Sequence, residues 1–117
     1  MNLHSDENVI AGRLYLTGEA VRLTLADGLI ADVEKAGEDD DKSLIIAPGL
    51  TDLQVNGYAG LDLNTDPLLP ETVRDISVKL WSEGVTTFFP TIITNSSERI
   101  LDYVSVVADA CSRFPEA

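Results

Sequence analysis

The sequence predicts an α/β fold with a small β-sandwich-type segment at its amino end, and three observations carry that prediction. Short runs of alternating apolar and polar residues fill positions 9–47, the mark of half-buried strands. From position 48 the order becomes strand, helix, strand, helix, the beat of a parallel sheet covered by helices. The composition, 44% hydrophobic over 117 residues, is that of a folded chain. The expected boundaries are a flexible tail at 1–8, part of a small β-domain at 9–47, and two βα units at 48–117.

Met1 to Asn8 is polar, and chain termini are loosely held, which places the single histidine, His4, in the tail and away from a ligand role. VIAGRLYLTG then reads as a strand. In the next run Val21, Leu23 and Leu25 alternate with polar neighbours, and Asp27-Gly28 supplies a two-residue hairpin turn. Glu38-Asp39-Asp40-Asp41 lacks the alternating ligands, central glycine and closing glutamate of an EF-hand, so it reads as a solvated surface turn.

After Lys42 one strand ends before Pro48-Gly49, and a second, from about Leu50 to Val55, is apolar enough to be buried on both faces. Pro70 to Glu83 sets Val73, Ile76, Leu80 and Trp81 at helical spacing, starts on proline and glutamate, and meets Gly84, a helix stop. VTTFFPTIIT, from Val85 to Thr94, is β-branched and aromatic and predicts another strand. Asn95 and Glu98 form a capping-box pattern, opening a helix that runs to about Phe114. Its predicted apolar stripe is Ile100, Leu101, Val104, Val107, Ala108 and Cys111, which makes Cys111 a core thiol.

Eight basic residues against twenty acidic ones leave a formal charge of -12, which repels phosphate backbones and anionic lipid. Neither nucleic acid nor membrane is an expected partner. A lone cysteine forms no intrachain disulfide, and the amino end carries no secretory pattern, so the expected location is cytoplasmic. No window approaches the roughly 18 apolar residues of a membrane span.

The chemistry concentrates in residues 48–60, PGLTDLQVNGYAG, where two amides, Gln54 and Asn56, close an otherwise apolar strand. In parallel α/β architectures functional groups gather at the carboxyl ends of strands. The two-residue period sends Gln54 and Asn56 to the same side, where they either face a ligand or satisfy backbone groups of the adjoining loop. Gly57 and Gly60 let that loop turn sharply and approach a ligand. Asp52, two residues upstream, reads as a support bonded to a neighbouring loop or helix end, and Asp62 and Asn64 as turn or loop-capping residues.

Together, PGLTDLQVNGYAG and the later GVTTFFPTIIT resemble the N-acetylglucosamine-6-phosphate deacetylases of the amidohydrolase superfamily. The pattern PG(F/L)(I/T)D-x-Q-x-NG-x-x-G-x-D-x-N, a helix, then G-x-T-x-x-x-PT-(I/L)-(I/L)-T is kept in order and spacing over about residues 9–113. The resemblance implies that 48–117 are the first two βα units of an incomplete TIM (β/α)8 barrel. It also implies a divalent metal, zinc or iron, in the full-length enzyme. Most amidohydrolases end the first barrel strand in His-x-His; these deacetylases carry Gln-x-Asn, at Gln54 and Asn56 here. By that resemblance Gln54 stands near the metal, directly or through water, Asn56 contacts metal or substrate, Gly57 contacts substrate, and Asp52 is structural support.

The family's metal-binding glutamate lies in H-x-E-G-P on the third strand, its metal histidines and proton-shuttling aspartate later still, and this sequence reaches only FPEA. No catalytic residue is expected within it. A full barrel takes about 250 residues. By that resemblance the chain reads as the amino-terminal piece of an enzyme that hydrolyses the acetamide of an amino-sugar phosphate, N-acetylglucosamine 6-phosphate, to glucosamine 6-phosphate and acetate. Alone it is expected neither to hold zinc tightly nor to turn over, and its open strand edges predict a homo-oligomer. Two other readings stand beside this one: another amidohydrolase with a cyclic amide or nucleobase substrate, disfavoured by the missing His-x-His, and a small acidic non-catalytic α/β module.

Overall fold

Asp27 and Gly28 both take positive φ, 52° and 76°, the backbone of a type I′ turn, and they close the hairpin where the sequence places it. The computed structural model describes residues 8–117, and the chain divides into two units, Met1–Pro48 and Gly49–Ala117. In the first, β1 (Asn8–Leu14), β2 (Ala20–Ala26), β3 (Leu29–Lys35) and β4 (Ile45–Ile46) form one sheet in the order β3-β2-β1-β4. The first three strands are antiparallel, and β4 lies parallel to β1. Among the described residues the sandwich-type segment is a single mixed sheet, because short turns keep β1, β2 and β3 side by side and β4 joins the same layer. Asn8 already pairs with Leu25, inside the segment read as tail; residues 1–7, and His4 with them, lie outside the described residues.

Cross-strand partners share a face of a sheet. Leu23 sits opposite Ile10 and Val33, giving an apolar face, whereas Arg22 sits opposite Ala11 and Glu34, giving a polar one on which Arg22 and Glu34 approach to 3.8 Å. The apolar side is a groove of about 540 Å³ lined by Leu14, Leu23, Ile30, Val33 and Ile46. Ile30 and Val33 remain 62% and 55% exposed. The acidic run behaves as a turn: Asp40 accepts the Gly37 N–H at 2.7 Å, and Asp41 that of Ser43 at 2.9 Å. Hydrogen bonds from the Ser43 hydroxyl and N–H hold the Asp41 carboxyl below its ordinary pKa.

In the second unit β5 (Leu50–Val55) pairs in parallel with β8 (Val85–Pro90), and between them come a small hairpin, β6 (Gly57–Tyr58) and β7 (Leu61–Asp62), and helix α1 (Pro70–Trp81). Helix α2 (Ser97–Arg113) follows β8. Proline at the first turn of α1 has no N–H to leave unsatisfied, and Gly84, at φ 82°, supplies the left-handed residue past its end. Val55, Leu63, Leu68, Val73, Ile76, Leu80, Tyr103 and Ala110 make one core. Removing a side chain such as Ile76, fully buried, from water contributes about 1.5–3 kcal/mol.

Several expectations for this unit are corrected. Strand β5 is not buried on both faces: Leu50 is 59% and Leu53 76% exposed, since among the described residues β5 and β8 form a two-stranded sheet. Helix α2 is capped one residue later than the Asn95–Glu98 pattern suggests, by Ser96, whose extended backbone lets its hydroxyl accept the Arg99 N–H at 3.3 Å. Its buried face is also rotated from the predicted stripe. Tyr103 and Ala110 are buried, with Val106, Val107 and Phe114 packed beside them, while Leu101 and Val104 are 67% and 50% exposed. Cys111 is exposed as well and is not a core thiol.

The rotation follows from the helix's partner. Contacts to α1 orient α2: Arg113 bonds Glu71 at 3.1 Å, and the guanidinium groups of Arg74 and Arg113 lie 5.1 and 5.0 Å from the Phe114 ring centroid. Trp81, also placed on an apolar stripe by spacing, is 48% exposed. No helix among the described residues is long and apolar enough to cross a membrane.

Candidate functional site at the ends of the parallel strands

The carboxyl ends of β5 and β8 are tied by backbone and side chain alike. Thr91, just past β8, donates its N–H to the Val55 carbonyl at 2.8 Å, and Leu63 donates to the Asn56 carbonyl at 2.8 Å. Asn64 completes the tie. Its amide nitrogen donates to the carbonyls of Thr91 at 3.1 Å and Asn56 at 3.4 Å, and its amide oxygen accepts the Ile93 N–H at 2.8 Å. Asp62 accepts the Asn64 N–H at 2.8 Å, which makes it the loop cap that the sequence suggests. Asn64 caps loop backbone too, and its side chain reaches residues 27 and 29 positions away.

On this rim Gln54 is exposed and Asn56 half-buried. Among the described residues no hydrogen bond engages either side-chain amide; the backbone of Asn56, not its side chain, serves the neighbouring loop. Both amides are therefore free to donate to, or accept from, a ligand. Asp52 is half-buried, and its carboxylate accepts the Gln54 N–H at 3.1 Å, a bond inside its own strand and not to another loop or helix end.

Gly57 is glycine for a reason visible in the fold. A Cβ there would collide with the Leu61 carbonyl oxygen and lie 2.9 Å from the Asp62 Cα, so β7 fills the space that a side chain would take. Ala59 and Gly60, with φ of 49° and 84°, make the turn between β6 and β7. Tyr58 packs against the core, and its desolvation, reinforced by hydrogen bonding and charge repulsion from Glu83, pushes its phenol above the ordinary pKa.

A cavity of about 380 Å³ lies between the loop after β7 and the start of α2, lined by Asp66, Ser96, Glu98, Arg99 and Asp102 among others. Its single guanidinium is already engaged by Asp66 and the Tyr103 hydroxyl. Three carboxylates around one paired arginine make it a poor seat for a phosphate.

This rim lies within the part of the chain that matches known enzymes. The chain is 31% identical over 97 residues to N-acetylglucosamine-6-phosphate deacetylase of Rattus norvegicus, covering 82% of this chain and 22% of that protein. It is 28% identical over 112 residues to N-acetylgalactosamine-6-phosphate deacetylase of Escherichia coli O157:H7, covering 91% and 29%. With N-acetylglucosamine-6-phosphate deacetylase of Caenorhabditis elegans the identity is 41% over 63 residues, 50% of this chain and 15% of the relative. The chain matches the amino-terminal portion of amino-sugar-phosphate deacetylases. It spans less than a third of the length of each of these deacetylases. No family model matches it.

A divalent metal does not fit the residues at this rim by themselves. Protein zinc sites take about four ligands, usually thiolate, imidazole or carboxylate, and among the described residues no three histidine, cysteine, aspartate or glutamate side chains gather. Gln54 and Asn56 are two neutral donors, a partial set.

Proposed function

We propose that this chain is the amino-terminal part of a metal-dependent amino-sugar-6-phosphate deacetylase, in which Gly49–Ala117 forms the first two βα units of a (β/α)8 barrel. The observation that carries the proposal is the position of Gln54 and Asn56: two unengaged amides at the carboxyl end of β5, in a stretch shared with deacetylases. In the complete enzyme Gln54 stands beside the metal, directly or through water, and Asn56 contacts metal or substrate. Neutral amides are weaker ligands than imidazole, which suits a site that retains one ion rather than two. The remaining ligands and the acid–base group come from elsewhere in the barrel, and cleavage of the acetamide gives acetate and the free amine.

The exposed apolar surface supports a barrel with more strands and helices. Leu101, Val104 and Cys111 form a second stripe on α2, opposite in use to the face that meets α1, and barrel helices have a neighbour on each side. The same open surface supports self-association of the chain into a homo-oligomer when nothing else covers it.

The test is a chimera in which this chain replaces the matching amino-terminal part of the Escherichia coli deacetylase. The folded chimera is expected to release acetate from N-acetylgalactosamine 6-phosphate, and Gln54→Ala within it to lower kcat/KM by at least about tenfold. The 117-residue chain alone is expected to release none. A folded but inert chimera, or full activity in Gln54→Ala, would overturn the reading.

A further inference from the structure

We infer that Asn64 is the positioning residue of the rim: its carboxamide latches the segment that carries Asn56 to the loop after β8, and so sets where the open amides of Gln54 and Asn56 stand. The functional weight of this inference rests on the proposed role of those two amides, while the latch itself rests on geometry alone.

The orientation of the Asn64 amide is dictated by its partners. Its nitrogen faces two carbonyls, those of Asn56 and Thr91, and its oxygen faces the Ile93 N–H. Turned over, it would set oxygen against two oxygens and N–H against N–H. At neutral pH a carboxamide offers a donor and an acceptor at one branch point with this spacing, which a carboxylate does not. The backbone of Asn64 is itself fixed by Asp62, and Leu63, next to it, is fully buried in the core. Chain on both sides of the latch is thereby anchored, and the Asn56 carbonyl receives two donors, from Leu63 and Asn64. Asn56 precedes the β6–β7 hairpin without other side-chain support, so the latch governs its backbone angle and the direction of its side chain.

Asn64→Asp separates this role from general stability. It keeps the size and the acceptor for Ile93, but at neutral pH it aims a carboxylate oxygen at the Asn56 and Thr91 carbonyls. Below the carboxyl pKa, roughly 4, the protonated side chain regains one donor, so the sign is rescue on acidification. Amide exchange and side-chain amide resonances would be read by nuclear magnetic resonance on the 117-residue chain, against wild type at each pH. At pH 7 the Leu63 and Thr91 amides of Asn64→Asp should exchange about tenfold faster, as for the loss of a hydrogen bond. The Asn56 and Gln54 side-chain resonances should move, and both effects should shrink in acid. Asn64→Ala should show the same losses with no recovery.

Unmoved Asn56 and Gln54 resonances, the absence of acid rescue, or a loss of protection spread evenly over α1 and α2 would each overturn the inference. In the chimera, Asn64→Asp should lower kcat/KM with partial recovery toward acid. A latch confirmed by resonance in a chimera that stays inert would sink the deacetylase reading and leave the latch standing.

Discussion

The two units of this chain spend their apolar residues in opposite ways. In the amino-terminal sheet, alternation sorts side chains cleanly by face, yet Ile30 and Val33 on the apolar face stay more than half exposed. In the carboxyl-terminal unit the pattern is less regular, yet Leu63 and Ile76 are completely buried, because two helices and a hairpin close over one side of the β5–β8 pair. Alternation therefore makes a face, and only a second layer makes a core. The βα unit carries its own second layer; among the described residues the sheet has none.

That contrast can be broken. Ile76→Ala should destabilise the second unit by about 2–5 kcal/mol, since it removes a fully buried side chain and leaves a cavity. Ile30→Ser, on the open face of β3, should change stability by no more than about 0.5 kcal/mol while reducing self-association. Denaturant unfolding followed by residue-resolved hydrogen exchange separates the two, and equal effects would show that the sheet has a cover after all. A middling loss is expected at the helix start: Ser96→Ala should cost about 1 kcal/mol, visible as faster exchange at Arg99 and its neighbours in the first turn of α2. If Asn95→Ala costs more than Ser96→Ala, the cap lies where the sequence pattern put it.

The smallest effect is electrostatic. Desolvation and Glu83 raise the Tyr58 pKa, so the neutral phenol favours the folded state below the ordinary phenol value, and that contribution is lost as pH rises through the elevated one. Glu83→Gln should bring the Tyr58 titration down toward the ordinary value, read by the phenolate absorbance at alkaline pH. An upward movement would contradict the assigned cause.

Much of the architecture is legible in local signals. Asp27-Gly28 has one good use between alternating strands, and the structure puts it there. Pro70 and Gly84 bracket α1 for the same reason: each has a backbone preference that needs no tertiary help. The misses share a cause of another kind. Helix α2 carries apolar residues on more than one face, and spacing alone could not say that Tyr103 and Ala110, not Leu101 and Cys111, meet α1. Asn64 is legible as a loop cap, but its partners at Thr91 and Ile93 are distant in sequence and could not be named from it. The pair Gln54 and Asn56 stands out in the sequence by residue type, while the absence of hydrogen bonds to their side chains among the described residues was visible only in the folded rim.

By itself, the order of residues determined the run of strands and helices, the hairpin and helix ends, and the two amides that close β5. Those features depend on backbone preference and on periods of two and 3.6, which act over a few neighbours. Only the tertiary structure decided that the described strands of the first unit form a single sheet, which face of α2 is buried, that Cys111 is exposed, and that Asn64 ties two strand ends together. Each of these depends on what stands opposite a side chain across space, and a partner dozens of residues away leaves no mark on local spacing.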